Sequence, residues 1–149
     1  MDKQEIFLEQ YKLFVKTADD ITMRRLQTNK FYLTILLGLF TIAGFFNKNE
    51  MTGLLNEQII LILISVIGLA LSSIWYINIE SFKLLNTAKF KVILEMEKEL
   101  PCACFAKEWE YRVGEDESKA YPILTKIEKF LPIMMGIVFF VILLVGLFL

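Results

Sequence analysis

Three long blocks of the sequence contain no Asp, Glu, Lys or Arg, and every charged side chain lies outside them. These blocks are residues 31–47, 58–79 and 130–149. A helix of about 20 predominantly apolar residues spans the hydrocarbon core of a bilayer. A soluble fold would have to bury all three blocks, and a chain of 149 residues has too little polar sequence left to cover them. The sequence therefore predicts an all-α integral membrane protein with three transmembrane helices.

The three predicted spans differ in length and in the residues at their edges. The first, 31–47, covers only about 25 Å as a helix, so Lys30 must extend toward the headgroups or the bilayer must thin locally. Trp75 and Tyr76 lie near the end of the second span, where amphipathic rings favour the membrane interface. Pro132 lies near one edge of the third span, where a membrane helix tolerates a kink.

The Lys and Arg residues between the predicted spans indicate the orientation of the chain, because cytoplasmic segments carry the excess. Six of them lie in residues 1–30 and nine in residues 80–129, but loop 48–57 has only Lys48. We therefore expect a cytoplasmic N-terminus, an external loop at 48–57, a cytoplasmic helix and loop at 80–129, and an external C-terminus. A cleavable signal peptide is not expected, because the first apolar block begins only at residue 31, behind a charged arm.

Residues 1–30 have the pattern of an amphipathic helical arm that continues into the first span. Its apolar residues recur at spacings of three and four, which places them on one helical face: Phe7, Tyr11, Phe14, Ala18 and Ile21. Because no Pro or Gly intervenes before the span, one helix from about Gln4 to about Phe46 is predicted. The arm could instead lie on the membrane surface, but the acidic residues Glu5, Glu9, Asp19 and Asp20 would then face anionic lipid.

The second predicted span also continues beyond the membrane, from Glu80 to Leu100, without Pro or Gly. One face of this extension carries Leu85, Ala88, Val92 and Met96. We expect the two cytoplasmic extensions to pack as an antiparallel helical pair. Pro101 ends the second helix, and a loop is predicted from there to about Leu124. Thr125 and Glu128 have the spacing of a capping box, which predicts the start of the third helix.

Small residues recur at helical spacing inside the first two spans: Thr34, Gly38 and Thr41 in the first, and Ser65, Gly68 and Ser72 in the second. Such stripes let helix backbones approach closely, so packing between helices or subunits is the favoured interpretation. The alternative is that these mildly polar residues line a narrow pore between subunits.

The residue types for most catalytic and metal sites are missing. Without His, the chain has neither a Ser-His-Asp triad nor a His-bound metal. Cys102 and Cys104 supply two sulfurs where a tetrahedral metal site needs four ligands, so no metal or cofactor is expected. The acidic residues of segment 95–110 are interpreted as a solvated surface: Glu95, Glu97, Glu99, Glu108 and Glu110. With 16 basic and 17 acidic residues, there is no charge excess for binding nucleic acid.

Four short segments carry a resemblance to a known family. They are residues 8–15 (LEQYKLFV), 85–92 (LNTAKFKV), 97–101 (EKELP) with Phe105 and the pair Glu108-Trp109, and 121–128 (YPILTKIE). In these segments the chain resembles the RipA-like family of small octameric bacterial inner-membrane proteins. The resemblance implies a homo-oligomer, nominally an octamer, in the bacterial cytoplasmic (inner) membrane, with a role in envelope function, virulence or adaptation to the host, including intracellular growth. It supplies no active-site residues.

These observations together predict a non-enzymatic scaffold or regulator of envelope processes. Its expected partners are further copies of itself, membrane lipids, and a cytoplasmic or envelope protein that contacts Trp109 and Tyr111. A pore along the axis of the oligomer is the alternative of another class. An enzyme that uses Cys102 and Cys104 with the loop carboxylates is a third hypothesis.

Overall fold

The computed structural model describes residues 2–46, 57–113 and 122–148. All regular secondary structure in these three ranges is helical, as the sequence predicts. The helices are α1 (Lys3–Phe46), α2 (Glu57–Glu97), α3 (Cys104–Val113) and α4 (Pro122–Phe148). The predicted external loop 48–57 and the polar stretch 114–117 fall almost entirely outside the described residues.

Two helices in the described part of the chain are long and apolar enough to cross a membrane. They are Gln58–Glu97 and Ile127–Phe148, with mean hydropathies of 2.4 and 2.8 over their membrane-length windows. Only 28% and 17% of those windows is buried within the chain, whereas the core helix of a soluble protein would be mostly buried. These helices contain the predicted span 58–79 and, up to residue 148, the predicted span 130–149. The first predicted span, 31–47, ends outside the described residues and stays a prediction.

Helix α1 runs without interruption from the charged arm into the first apolar block. Its start differs by one residue from the expected start at Gln4. Helix α2 likewise continues past the charged residue Glu80 and ends at Glu97. The end comes slightly before the predicted Leu100, because the next backbone N–H groups, Lys98 to Leu100, bond to carbonyls three residues back and tighten the turn ahead of Pro101.

The second half of the chain differs from the sequence prediction in one additional helix and in the start of another. Helix α3 lies in the segment 101–124, where the sequence predicts a loop. Helix α4 begins at Pro122 rather than at Thr125, so Thr125 and Glu128 lie inside the helix and the predicted capping box is wrong. The start at Pro122 has a physical reason, since proline lacks only an N–H that the first turn of a helix leaves unbonded and its φ already suits a helix.

The chain divides into two compact units. Unit 1 contains Met1–Leu26 and Glu80–Lys126, and unit 2 contains Gln27–Ile79 and Ile127–Leu149. Unit 2 has an apolar core of Tyr32, Leu36, Ala43, Ile64, Trp75, Ile79 and Phe139. Within unit 2 the Phe139 ring of α4 packs directly on Gly68 of α2, where any larger residue would overlap it. The close approach of α2 and α4 therefore depends on the missing side chain of Gly68.

Candidate functional site

Glu97, the last residue of α2, is the one buried charged side chain in the described part of the chain, with 1% of its surface exposed. The Tyr11 hydroxyl of α1 donates a hydrogen bond of 2.9 Å to its Oε1 atom. The backbone N–H groups of Phe105 and Ala106 donate bonds of 2.9 and 3.1 Å to Oε1 and Oε2. One carboxylate therefore connects three helices of unit 1, and we call Glu97, Tyr11 and these two N–H groups the Glu97 junction.

The Glu97 junction explains why α3 forms. The first N–H groups of any helix have no partner within it, and an acceptor at this end is favoured because the helix dipole is positive there. In α3 the acceptor is a carboxylate from a different helix instead of a nearby capping side chain. The sequence pattern assigns Glu97 to a solvated surface, and that interpretation is wrong. Its spacing of four from Ile93, which is fully buried, is the one signal that could have placed it inside.

The hydrogen bonds of the junction change the pKa values of both side chains. Burial alone acts to raise the pKa of Glu97, but the Phe105 and Ala106 N–H groups and the Tyr11 hydroxyl outweigh it, and the pKa lies below its usual value. Burial, followed by the hydrogen bond to the negative Glu97, raises the pKa of Tyr11 to about 12. Glu97 is therefore ionised and Tyr11 neutral at physiological pH, which are the states that the hydrogen bonds require.

A second set of contacts in unit 1 lies at Lys89 of α2. Its Nζ donates a 2.8 Å hydrogen bond to Thr17 Oγ1 and lies 5.2 Å from the centre of the Phe14 ring. The Phe90 ring meets the Phe105 ring edge to face, with centroids 5.9 Å apart. The Lys89–Phe14 cation–π contact and the Phe90–Phe105 ring pair are of types that contribute about 0.5–1.5 kcal/mol each at partly exposed sites. Polar and aromatic pairs therefore join the helices of unit 1, beside its buried apolar residues Ala18, Ile21 and Ile93.

The two apolar stripes predicted for unit 1 differ in their burial. On the arm, Ala18 and Ile21 are buried, and Phe7, Tyr11 and Phe14 are partly buried. On the α2 extension, Leu85, Ala88 and Val92 are exposed and Met96 is partly buried, while Ile93 and Glu97 are buried instead. The face of α2 that is covered within one chain is therefore rotated from the predicted stripe. Leu85, Ala88 and Val92 are left on the surface of the single chain.

The small residues of the first two apolar blocks also differ in their burial within unit 2. Ser65 and Ser72 of α2 are buried, and Gly68 between them lies against Phe139. Thr34, Gly38 and Thr41 of α1 are exposed, with open space where a Gly38 side chain would project. The α2 stripe is therefore used inside the chain, and the α1 stripe is left on its surface.

Trp75 is expected from the sequence at the membrane interface, but the structure buries it to 1% exposure in unit 2. Its indole N–H donates a 2.8 Å hydrogen bond to Asn29 Oδ1, and its ring stacks on Tyr32 with centroids 6.0 Å apart. The Tyr32 hydroxyl in turn accepts a 2.8 Å bond from the Asn78 side-chain amide. The sequence did not single out Asn29 or Asn78, and these two amides supply the polar partners that the buried aromatic rings need.

The predicted partner-contact residues and the two cysteines lie in or next to α3. Trp109 is 49% exposed and Tyr111 is 88% exposed. Cys102 and Cys104 are both exposed free thiols whose sulfur atoms lie 3.6 Å apart. No cluster of three or more metal-ligating side chains occurs among the residues that the structure describes.

Comparison with known families identifies the chain. A profile of the octameric membrane protein family matches residues 8–148, which is nearly the whole sequence. The chain belongs to this family. The resemblance carried by four short segments is thereby confirmed over residues 8–148. No curated protein and no solved structure gives a match.

Membership of the octameric membrane protein family accounts for the exposed apolar surface of unit 2. Large side chains on all three of its helices have about half of their surface exposed: Leu37, Phe40, Leu63, Ile67, Ile137, Phe140 and Val145. In water such a surface would cause aggregation, whereas in an octameric membrane protein it contacts lipid or a neighbouring subunit.

Asn29 should be necessary for the stability of this octameric membrane protein. We expect N29A to lower the free energy of unfolding by about 1–3 kcal/mol, because it leaves the buried Trp75 N–H without its acceptor. Unfolding in SDS, followed by Trp75 fluorescence in a W109F background, measures the change. Q27A removes an exposed side chain two residues away and should have little effect. Equal stability of N29A and Q27A would show that the hydrogen bond is unimportant.

Proposed function

We propose that this octameric membrane protein is a non-enzymatic scaffold or regulator of envelope processes in the bacterial inner membrane. The observation that carries the proposal is the construction of unit 1. Its one buried charged residue among those described, Glu97, is fully engaged in holding three helices together. The carboxylate accepts hydrogen bonds from two backbone N–H groups and a neutral tyrosine, all of them parts of the helices that it joins. The Glu97 junction thus serves to shape a surface.

The proposed topology has three transmembrane helices, with the N-terminus in the cytoplasm and the C-terminus outside. In this topology the extensions of α1 and α2 form an antiparallel pair in the cytoplasm. The contacts of unit 1 support that direction: moving along α1 from Tyr11 to Thr17 moves the partner on α2 backward from Glu97 to Lys89. The distribution of Lys and Arg supports the cytoplasmic side.

The residues proposed for partner recognition are the two exposed aromatic side chains of α3, Trp109 and Tyr111. They lie two positions apart and so project in different directions from the helix. Aromatic residues are enriched at the centres of protein interfaces. The partner would be a cytoplasmic or envelope protein, and the link to envelope function and host adaptation, including intracellular growth, rests on the family resemblance. Lipid headgroups would contact the basic residues that flank the predicted spans.

A pore along the axis of the oligomer is the second candidate. The observation in its favour is that Thr34, Gly38 and Thr41 are exposed on one chain, so these residues are free to face a shared axis. Ser65 and Ser72, the other predicted pore residues, are buried within the chain and support packing instead.

The scaffold proposal predicts that changes to the exposed aromatic residues of α3 abolish function but leave assembly of the oligomer intact. In cells lacking the protein, we expect a W109A/Y111A variant to insert and assemble normally but to fail to restore resistance to envelope stress. L84A, which truncates another exposed apolar residue of unit 1, is the matched control and should restore it. Full rescue by W109A/Y111A would refute the proposed surface.

The pore candidate is tested with the purified assembly in planar bilayers. A scaffold should give no conductance, with or without Thr34 and Thr41. Conductance that decreases in T34V/T41V but is unchanged in S73A, where another exposed small residue is altered, would replace the scaffold by a pore.

A further inference from the structure

Cys102 and Cys104 lie close together at the start of α3. Cys102 precedes α3 and Cys104 is its first residue, and both side chains are exposed. Their sulfur atoms lie 3.6 Å apart, about the contact distance of two sulfurs, whereas a disulfide bond needs about 2.05 Å. To form a disulfide bond, the two sulfur atoms would have to approach by about 1.5 Å.

The contacts around the pair make the two thiols different. Cys104 Sγ donates its proton toward Cys102 Sγ, and Lys107 Nζ lies 3.8 Å from the same Cys102 sulfur. Cys102 therefore accepts from two donors, one of them cationic, which singles it out as the attacking residue. The hydrogen bond to Cys102, and then the charge on Cys102, raise the pKa of the Cys104 thiol.

We infer that Cys102 and Cys104 form a redox-active dithiol site in which Cys102 attacks a small disulfide and Cys104 then closes an intrachain disulfide. The chemical class of the oxidant is a low-molecular-weight disulfide such as oxidised glutathione. This site is independent of the proposed scaffold function. In the cytoplasm, where the pair is predicted to lie, protein disulfides are usually transient and serve redox sensing or catalysis.

The reaction is a pair of thiol–disulfide exchanges. The Cys102 thiolate attacks one sulfur of the small disulfide, a mixed disulfide forms, and the other half leaves as a thiolate. Cys104 then attacks Cys102 Sγ, its proton passes to the released thiolate, and the second half leaves as a thiolate. The two cysteines lose two electrons in total, and the small disulfide gains them to become one thiol and one thiolate, which takes up a proton from water.

The experiment uses the full chain, purified in detergent and freed of reductant, and treats it with excess oxidised glutathione before an acid quench. Intact mass should show a wild-type product two hydrogens lighter than the starting protein, with no glutathione retained. C104S and C102S should each retain one glutathione, because neither has a second thiol to release it. A wild-type chain that retains two glutathiones, stays reduced, or forms covalent dimers would overturn the inference.

The role assigned to Cys102 has its own test in the single-cysteine variants. Adding K107Q should slow the glutathione reaction of C104S about threefold, since the cation beside the attacking sulfur is removed. The same change should slow the reaction of C102S less, because the Lys107 charge is only the smallest of the influences on the pKa of Cys104. K98Q, which removes another exposed lysine of unit 1, should alter neither variant. An equal effect of K107Q on both variants would remove Cys102 from the attacking role.

Discussion

Replacing Glu97 by alanine is expected to release α3 from unit 1 and to increase amide exchange at Phe105 and Ala106 by about 30- to 150-fold. The variant leaves two helix N–H groups and the Tyr11 hydroxyl without their acceptor. Hydrogen bonds to a charged group contribute about 1.5–3 kcal/mol, and a loss of about 2–3 kcal/mol corresponds to this range of exchange rates. Hydrogen–deuterium exchange of peptides that cover α3 measures the effect directly.

Three further variants distinguish the Glu97 junction from a general loss of stability. E97Q keeps the shape but loses the charge, so its effect should be smaller than that of E97A. Y11F removes one hydrogen bond and should accelerate exchange about fivefold, equivalent to about 1 kcal/mol. E99A, which alters an exposed glutamate two residues away, is the control. If E97A and E99A exchange α3 amides at the same rate, the junction does not hold α3.

The pKa values of the junction predict how this protection depends on pH. The pKa of Glu97 is lowered on folding, so its contribution is complete above the ordinary glutamate pKa of about 4.3 and is lost as pH falls through the folded value. The pKa of Tyr11 is raised to about 12, so its contribution is complete below about pH 10 and is lost as pH rises through about 12. Protection of α3, normalised to the intrinsic exchange rate, should therefore be constant across the neutral range. The difference between wild type and E97Q should decrease in acid.

The membrane character of the chain and its long helices could be predicted because they depend on local sequence. Charge-free blocks and the absence of Pro and Gly are visible within one segment, and α1 and α2 extend close to the predicted limits. The first apolar block is the exception. It is short, and its predicted end at Asn47 lies outside the described residues, so the three-span topology stays a proposal.

Helix α3 and the buried Glu97 could not be predicted because they depend on each other across the chain. The sequence of α3 is rich in charged residues and lacks a Ser, Thr, Asp or Asn just before it, so no local cap marks its start. Its cap comes from a residue on α2, and burial of that carboxylate is tolerable only with α3 in place. The α3 helix is not favoured without the Glu97 carboxylate, and burial of that carboxylate is not favoured without α3. The sequence of either segment alone therefore predicts neither feature.

The small-residue stripes are an intermediate case. Their spacing predicts close packing, but it does not say which stripe packs within the chain and which is left for other contacts. The deciding contact joins Gly68 of α2 to the Phe139 ring of α4, two residues that lie far apart in the sequence. Because spacing within one helix carries no information about so distant a partner, the burial of the α2 stripe and the exposure of the α1 stripe could not be told apart beforehand.

Replacing Gly68 by alanine is expected to destabilise unit 2 by disturbing the packing of α2 against α4. A Cβ atom at this position would lie 2.6 Å from Cε1 of the Phe139 ring and closer still to Cγ and Cδ1. The ring is fully buried, and the overlap reaches Cγ at its base, so either the whole ring or the backbones of α2 and α4 must shift. Overpacking of this kind costs typically about 1–3 kcal/mol, and G68L should exceed G68A. Unfolding in SDS measures the free energy, and size-exclusion chromatography reports whether the oligomer survives.

Two other glycines of unit 2 and one double variant make this prediction specific. G136A places its Cβ 3.8 Å from Ser72 Cβ, an ordinary contact, and G44A meets nothing within 4 Å, so both should be near neutral. F139L alone should destabilise by loss of ring contacts, but G68A/F139L should be more stable than the sum of the single changes predicts, because the smaller side chain relieves the overlap. Additive effects in the double variant, or a G68A chain as stable as G136A, would show that α2 and α4 do not pack through Gly68 and Phe139.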